Sequence, residues 1–239
     1  MKEFVYNLAS CVLRLASCVL HLLCRVINFI PRKILNRRRK IYHDRLIKSN
    51  RKRLANKNFS IIAKDCAGTL ILHELGLRFD TPTINLWFNA KDFVKFCSNL
   101  KYYFSQEVIE LPEADSGVNY PAGTLGTGEE RITIYFMHYK NFQEARSKWD
   151  ERKQRIHWDN LYFIMTDGEG CNERLAQEFD SLTYEHKALL TYRELNGIKS
   201  TVKFALNTPI ERGNLFAYKS KISLGRAIDD WDYVSFLNS

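Results

Sequence analysis

The 239-residue chain contains no Cys-x-x-Cys pair, no Gly-x-Gly-x-x-Gly fingerprint and no phosphate-loop glycine pattern. Its six cysteines lie scattered at 11, 18, 24, 66, 97 and 171. Such spacing makes neither a disulfide framework nor a compact zinc ribbon, and it places the globular part in a reducing, cytoplasmic setting. The missing glycine patterns exclude dinucleotide-fingerprint and Walker-type readings. Acidic residues are scarce at one end only: residues 1–58 hold 15 Lys/Arg against 2 Asp/Glu, whereas residues 59–239 hold 21 against 25. The formal charge of +9 therefore belongs to an N-terminal appendage rather than to a folded basic face, which argues against specific nucleic-acid binding. With 45% hydrophobic and 13% aromatic residues, the remainder can bury one substantial core and is neither a coiled coil nor mainly disordered.

Residues 4–30 (FVYNLASCVLRLASCVLHLLCRVINFI) form the longest apolar run. The run lacks a small-residue cleavage site and ends in IPRK, so it is not a secretory signal. As a helix its 27 residues would rise about 40 Å, enough to span a bilayer. However, Asn7, Ser10, Arg14, Ser17, His21, Arg25 and Asn28 recur every three or four positions and draw one polar stripe. LASCVL appears at 8–13 and again at 15–20, a seven-residue period that keeps the stripe in register. A helix lying in the interface leaves Arg14 among the headgroups, the favoured reading over a single span or a helix packed on protein. The basic run 32–57 (RKILNRRRKIYHDRLIKSNRKRLANK) then fits attraction to an anionic cytoplasmic leaflet, putting the protein on the cytoplasmic face of the cell membrane. Cys11, Cys18 and Cys24 read as small buried packing residues before acylation sites.

From residue 58 to 239, strand-like and helix-like pieces alternate. Phe59–Ala63, Thr83–Phe88, Arg131–Met137 and Leu161–Met165 read as neighbouring strands of one sheet, with Ala188–Thr191 and Val202–Leu206 as further strands. Helical patterns follow: one ending at Leu75 before Gly76, then Ala90–Tyr103, Phe142–Arg155 and Cys171–Phe179. Residues 112–130, rich in Gly and Pro, read as a long surface loop or two edge strands. The last thirty residues, with Trp231, Tyr233 and Phe236, are expected to lie back over the core. The expected fold is α/β, a single domain (58–239) with a largely parallel central sheet flanked by helices, preceded by an amphipathic or membrane helix and basic linker (1–57).

In open α/β sheets, function gathers beyond the carboxyl ends of the strands. Three such ends carry polar groups. At Lys64-Asp65-Cys66-Ala67-Gly68-Thr69, Gly68 permits a tight turn, and the helix-opening amides around Gly68 and Thr69 could hold an anion. Asp65 is a candidate for binding a sugar hydroxyl and Cys66 for a nucleophile; a helix cap and a buried thiol are the plainer alternatives. His138-Tyr139-Lys140 offers a base or phosphate ligand in His138 and a phosphate-neutralising cation in Lys140, although a lone histidine is more often structural. Thr166-Asp167-Gly168-Glu169-Gly170 is the densest polar cluster: Asp167 could bind a divalent cation, Mg or Mn, that holds a diphosphate, with Thr166 and Gly170 lining the ligand. A single DGEG is a weak metal signal and fits a capped turn equally well. Asp159-Asn160, at the other end of that strand, read as structural. Trp149, Arg152, Arg155 and Trp158 suit stacking on a sugar or ordinary helix packing. His73 lies too far along its helix to pair with Cys66.

Together NFSIIAKDCAGTLILHELGLRFDTPTINLWF and YFMHYKNFQEARSKWDERKQRIHWDNLYFIMTDGEGC resemble the domain-of-unknown-function 1919 family, bacterial proteins labelled as exopolysaccharide or capsular polysaccharide biosynthesis proteins. The likeness runs from about Asn58 to Tyr192. The family's Asn-Cys stands here as Asp65-Cys66, its Leu-Gly as Leu75-Gly76 and its Ser/Thr-Pro-Thr as Thr81-Pro82-Thr83. His138-Tyr139, Trp149, Asp159, Asn160, Thr166 and Asp167 complete the pattern. The resemblance carries no established catalytic residues. With the N-terminal arm, the resemblance's polysaccharide context leads to the expectation of a membrane-associated transferase in surface-polysaccharide biosynthesis, acting on a nucleotide sugar or a lipid-linked sugar and working with other polysaccharide biosynthesis proteins. A Cys66-dependent acyltransferase or hydrolase using His138, and a non-catalytic adaptor of the assembly system, are the alternatives.

Overall fold

Parallel strands buried on both faces are apolar without alternation, and Leu161–Met165 has that character. The computed structural model describes residues 14–20, 32–211 and 213–239. In chain order its strands are β1 (Ser60–Ala63), β2 (Ile109–Leu111), β3 (Ala122–Leu125), β4 (Ile132–Tyr135), β5 (Leu161–Thr166), β6 (His186–Thr191) and β7 (Thr201–Lys203). Four of them, ordered β1-β5-β6-β7, make one parallel sheet with Ser60 opposite Leu161 and Tyr162 opposite His186. All four therefore end at one edge.

Side chains alternate across this sheet with period two. Phe163, Met165 and Leu189 enter one core with Phe88, Phe96 and Trp149. Tyr162, Ile164 and Leu190 enter the other, with Ile71 and Leu72 from the helix α2 (Cys66–Leu75) and with Tyr233 and Leu237 from the C-terminal helix Tyr233–Leu237. Trp231 and Phe236 pack beside them, so the C-terminal segment does lie over the core. Gly76 ends α2 in the left-handed region at φ 72°, where a side chain would be strained. Gly68 has a different reason: a Cβ there would fall 2.6 Å from the Ala63 Cβ, so the glycine lets α2 lie directly on β1.

Two expected strands of that sheet are placed otherwise. Ile132–Tyr135, the middle of the Arg131–Met137 run, pairs antiparallel with β3 in a second sheet, ordered β2-β3-β4. Gly126 and Gly128, with φ of 75° and 55°, turn the chain back between β3 and β4, and a local hairpin closes a far shorter loop than a crossover to β5. Thr83–Phe88 is not a ladder strand. It runs between the sheets: Thr83 Oγ1 accepts from Ala63 N (3.1 Å) and donates to Ile61 O (3.2 Å), and Phe88 N donates to Lys64 O (2.9 Å). On its other side Trp87 exchanges backbone hydrogen bonds with Tyr135 (2.9 and 3.0 Å). Pro82, without an N–H, and Asn85, at φ 60°, break the extended conformation that a ladder needs.

Three helix boundaries also shift. The expected Ala90–Tyr103 helix is Ala90–Ser98 followed by Leu100–Ser105, interrupted at Asn99 (φ −146°, ψ 58°). Phe142–Lys153 stops two residues short of Arg155. The expected Cys171 start moves to Glu173, because the Asn172 side chain caps Leu175 N at 2.9 Å.

Residues 1–13 and 21–31, with most of the expected amphipathic or spanning helix, lie outside the described residues. No described helix is long and apolar enough to cross a membrane. The basic run forms the helix α1 (Arg32–Arg53). The chain divides into two compact units: residues up to Leu46 with Tyr218–Gly225, and Ile47–Ala217 with Arg226–Ser239. The larger unit thus begins before the expected boundary at 58. Asn50, buried, donates to Tyr233 OH (2.9 Å), Arg51 Nε donates to Glu74 O (2.7 Å), and Leu54 enters the core.

Candidate functional site

The carboxyl edge of the parallel sheet collects the polar residues that follow β1, β5 and β6. Lys64, the first residue beyond β1, is fully buried (0% exposed), and its Nζ pairs with Glu169 and donates to Gly168 O at 3.3 Å. Asp65 caps α2: its Oδ1 accepts from Ala67 N at 2.9 Å. Its Oδ2 accepts from Thr166 Oγ1 at 2.5 Å, which ties the ends of β1 and β5. A carboxylate offers about four lone-pair positions, so the half-buried Asp65 retains acceptor capacity for a ligand hydroxyl.

Asp167 has a different situation. It is 2% exposed; its Oδ2 accepts from Thr191 Oγ1 (2.7 Å) and Tyr192 N (3.2 Å), and its Oδ1 from Ile210 N (2.8 Å). Arg193 Nε stands 3.9 Å from Oδ2. This carboxylate is a buried knot joining β5, the exit of β6 and the segment before Glu211, which weighs against a role as the metal ligand. Gly168 permits that approach, since a Cβ there would fall 2.5 Å from Ile210 O. Among the described residues, no group of three or more His, Cys, Asp or Glu is arranged to hold a metal ion.

Glu169 sits in the left-handed region at φ 47°, and its carbonyl accepts from Ala90 N at 3.0 Å. Burial raises its carboxyl pKa above the ordinary value, against the opposing pull of Lys64. Gly170 follows at φ 83°, exposed. Thr69 is buried and its hydroxyl accepts from Asn85 N at 3.1 Å, an interior tie rather than an open anion contact.

His138 and Lys140 lie past β4, on the second sheet, with both side chains exposed. His138 N donates to Asn85 O at 3.4 Å, and Lys140 N to Glu144 Oε2 at 3.3 Å; no hydrogen bond or ion pair joins the His138 ring to Asp65, Cys66 or Asp167 among the described residues. The residue between them turns inward instead. Tyr139 OH donates to Ile84 O (2.9 Å) and accepts from Arg152 Nη1 (2.6 Å). Its phenol pKa is raised by burial, against the opposing pull of Arg152. Lys64, Tyr139 and Arg193 were given no role from the sequence, whereas Arg152 was considered only for stacking on a sugar and Glu169 only as part of the polar cluster after β5. A lysine directly after an apolar strand was the available signal for Lys64.

Burial first, and then the Asp65 charge, push the Cys66 thiol up to about 12. Only a trace of thiolate then exists near neutrality, which weighs against a Cys66 nucleophile. In the folded protein at pH 8, iodoacetamide is expected to alkylate Cys66 at least about a hundredfold more slowly than in a urea-unfolded control, read by peptide mass spectrometry. Equal rates would restore a reactive cysteine.

These features define an α/β protein with a charged, partly buried cluster at the carboxyl edge of a four-stranded parallel sheet. The chain belongs to the DUF1919 family, described as a domain of unknown function, whose model matches residues 37–238. It is similar to an uncharacterized protein of Haemophilus influenzae (strain ATCC 51907 / DSM 11121 / KW20 / Rd), 30% identical over 205 residues that cover 85% of this chain and 94% of the relative.

Proposed function

We propose that the protein is a membrane-associated transferase of surface-polysaccharide assembly that binds a phosphorylated sugar, nucleotide- or lipid-linked, at the carboxyl edge of its parallel sheet. The observation that carries the reading is the meeting of Asp65 and Thr166, bonded at 2.5 Å, with the Lys64–Glu169 pair beside them. In this reading Asp65 accepts from a sugar hydroxyl, while Lys140 and Arg152 supply positive charge for phosphate. His138, exposed beside Asn85, takes a proton from the acceptor. Asp167 holds the loop that presents Glu169 and Gly170. The charge excess of residues 1–58 supports attraction to an anionic cytoplasmic leaflet, where a lipid-borne substrate would lie.

The test is titration of the full chain with a panel of nucleotide sugars, with and without Mg or Mn, for wild type and Asp65→Asn. Asparagine caps helices about as well as aspartate, so the fold should survive. Saturable binding is expected, weakened roughly tenfold in the variant, as for one charge-assisted hydrogen bond. Absence of binding and of any thermal shift across the panel would move the reading to the non-catalytic adaptor, which the internal commitments of Thr69 and Asp167 favour.

A further inference from the structure

We infer that Tyr218–Gly225 is a second membrane-contacting element, pinned to the basic helix α1 so that both dock on an anionic lipid surface. This rests on the membrane part of the reading above and adds a loop 184 residues away in sequence from the arginine that holds it.

Arg39 Nε donates to Ser223 O at 2.9 Å, and its Nη2 to Ser220 O and Lys221 O at 3.0 and 3.1 Å. The guanidinium also lies 3.7 Å from the Tyr218 ring centroid. Within the loop Ser223 N donates to Ser220 Oγ (3.0 Å) and Ser223 Oγ to Gly225 O (2.7 Å). The backbone carbonyls are thus gathered on one planar fork, which a lysine's point charge could not reproduce. Tyr218 and Ile222 remain 43% exposed. In the same unit Tyr42 of α1, about 60° round the helix from Arg39, is also exposed. Residues 32–46 and 218–225 carry nine Lys/Arg against one acid, Asp44.

An exposed isoleucine and two tyrosines among charges of one sign suit a lipid interface, where the apolar groups enter the acyl boundary and the cations meet the headgroups. A phosphate backbone would attract the cations but gain nothing from Ile222 or the exposed part of Tyr218. Charge complementarity and apolar exposure together therefore select the bilayer.

The experiment is co-sedimentation of the full chain with phosphatidylcholine vesicles, with and without phosphatidylglycerol, together with backbone hydrogen exchange over 218–225. Wild type should bind only the anionic vesicles, and exchange in the loop should slow on binding. The double variant Tyr218→Ser, Ile222→Ser should bind roughly tenfold more weakly with unchanged circular dichroism. Arg39→Lys, which keeps the charge and loses the fork, should also weaken binding and abolish the loop's protection. If wild type binds anionic vesicles but the variants bind equally well and the loop stays unprotected, the loop inference fails while the membrane reading stands. If wild type ignores anionic vesicles, the membrane reading itself fails. Displacement of vesicles by duplex DNA that the double variant binds undiminished would make this a nucleic-acid surface and overturn the inference.

Discussion

Asp167→Asn should lower stability by about 3–5 kcal/mol, a fall in melting temperature of roughly 10 °C. The carboxylate accepts from the Thr191 hydroxyl and from the Tyr192 and Ile210 amides, all in a site only 2% exposed. An asparagine amide turns one acceptor into a donor, so at least one buried N–H or O–H faces another donor whichever way the amide flips. Urea unfolding measures the loss. The same measurement on Asp65→Asn should show at most about 1 kcal/mol, because that side chain is a half-buried cap. The contrast separates a structural knot from a ligand-facing acid. An Asp167→Asn protein that melts like wild type yet loses affinity for nucleotide sugars would return Asp167 to the ligand.

A second large effect is expected at a charge cluster in the same unit. Arg226 donates Nη1 and Nη2 to the two oxygens of Glu74 (2.5 and 3.1 Å), and Nε and Nη2 to Asp229 Oδ1 (3.1 and 2.7 Å). The three side chains are only 11%, 8% and 3% exposed. Both acids raise the guanidinium pKa against the opposing effect of burial, so the cation persists at every working pH. Arg226→Met removes the cation and leaves two carboxylates in low dielectric, a loss of about 3–5 kcal/mol. Adding Glu74→Met to that variant should recover part of the loss, because one of the stranded charges is gone. Equilibrium unfolding of the two single variants and the double one completes a cycle. Strict additivity would show that the pair is not coupled.

What could be read from the chain is what short-range physics decides. Unbroken apolar runs such as LYFIM make buried strands wherever they fall, Gly76 stops a helix because only glycine rests easily at φ 72°, and Asp65 before a helical pattern caps it. Those local rules located β1, β5, α2 and the carboxyl edge where Asp65 and Thr166 meet. The strand character of RITIYFM was likewise legible, but its partner and direction were not. Pairing is a contest between strands distant in sequence, and the turn around Gly126 and Gly128 gave β4 a nearby antiparallel neighbour in β3, whose own sequence, AGTL, has little strand character.

Side-chain roles depended still more on tertiary structure. Asp65 and Asp167 follow apolar runs in the same way, yet one stays half-exposed with acceptor capacity and the other is enclosed by three donors. Nothing near Asp167 in sequence announces Thr191 or Ile210. Tyr139 rather than His138 turns inward because the phenol reaches Ile84 O and Arg152 from a strand end of the other sheet. The N-terminal charge excess is likewise written plainly in the sequence. That Arg39 gathers the carbonyls of Ser220, Lys221 and Ser223 is not, because a fork of donors finds its acceptors in space, with no trace in the order of residues. Composition and local pattern thus determined the elements and the side of the sheet to search; tertiary packing alone decided which polar groups are occupied by the fold and which remain available to a ligand, since each hydrogen bond to a distant partner removes capacity that the sequence still counts as free.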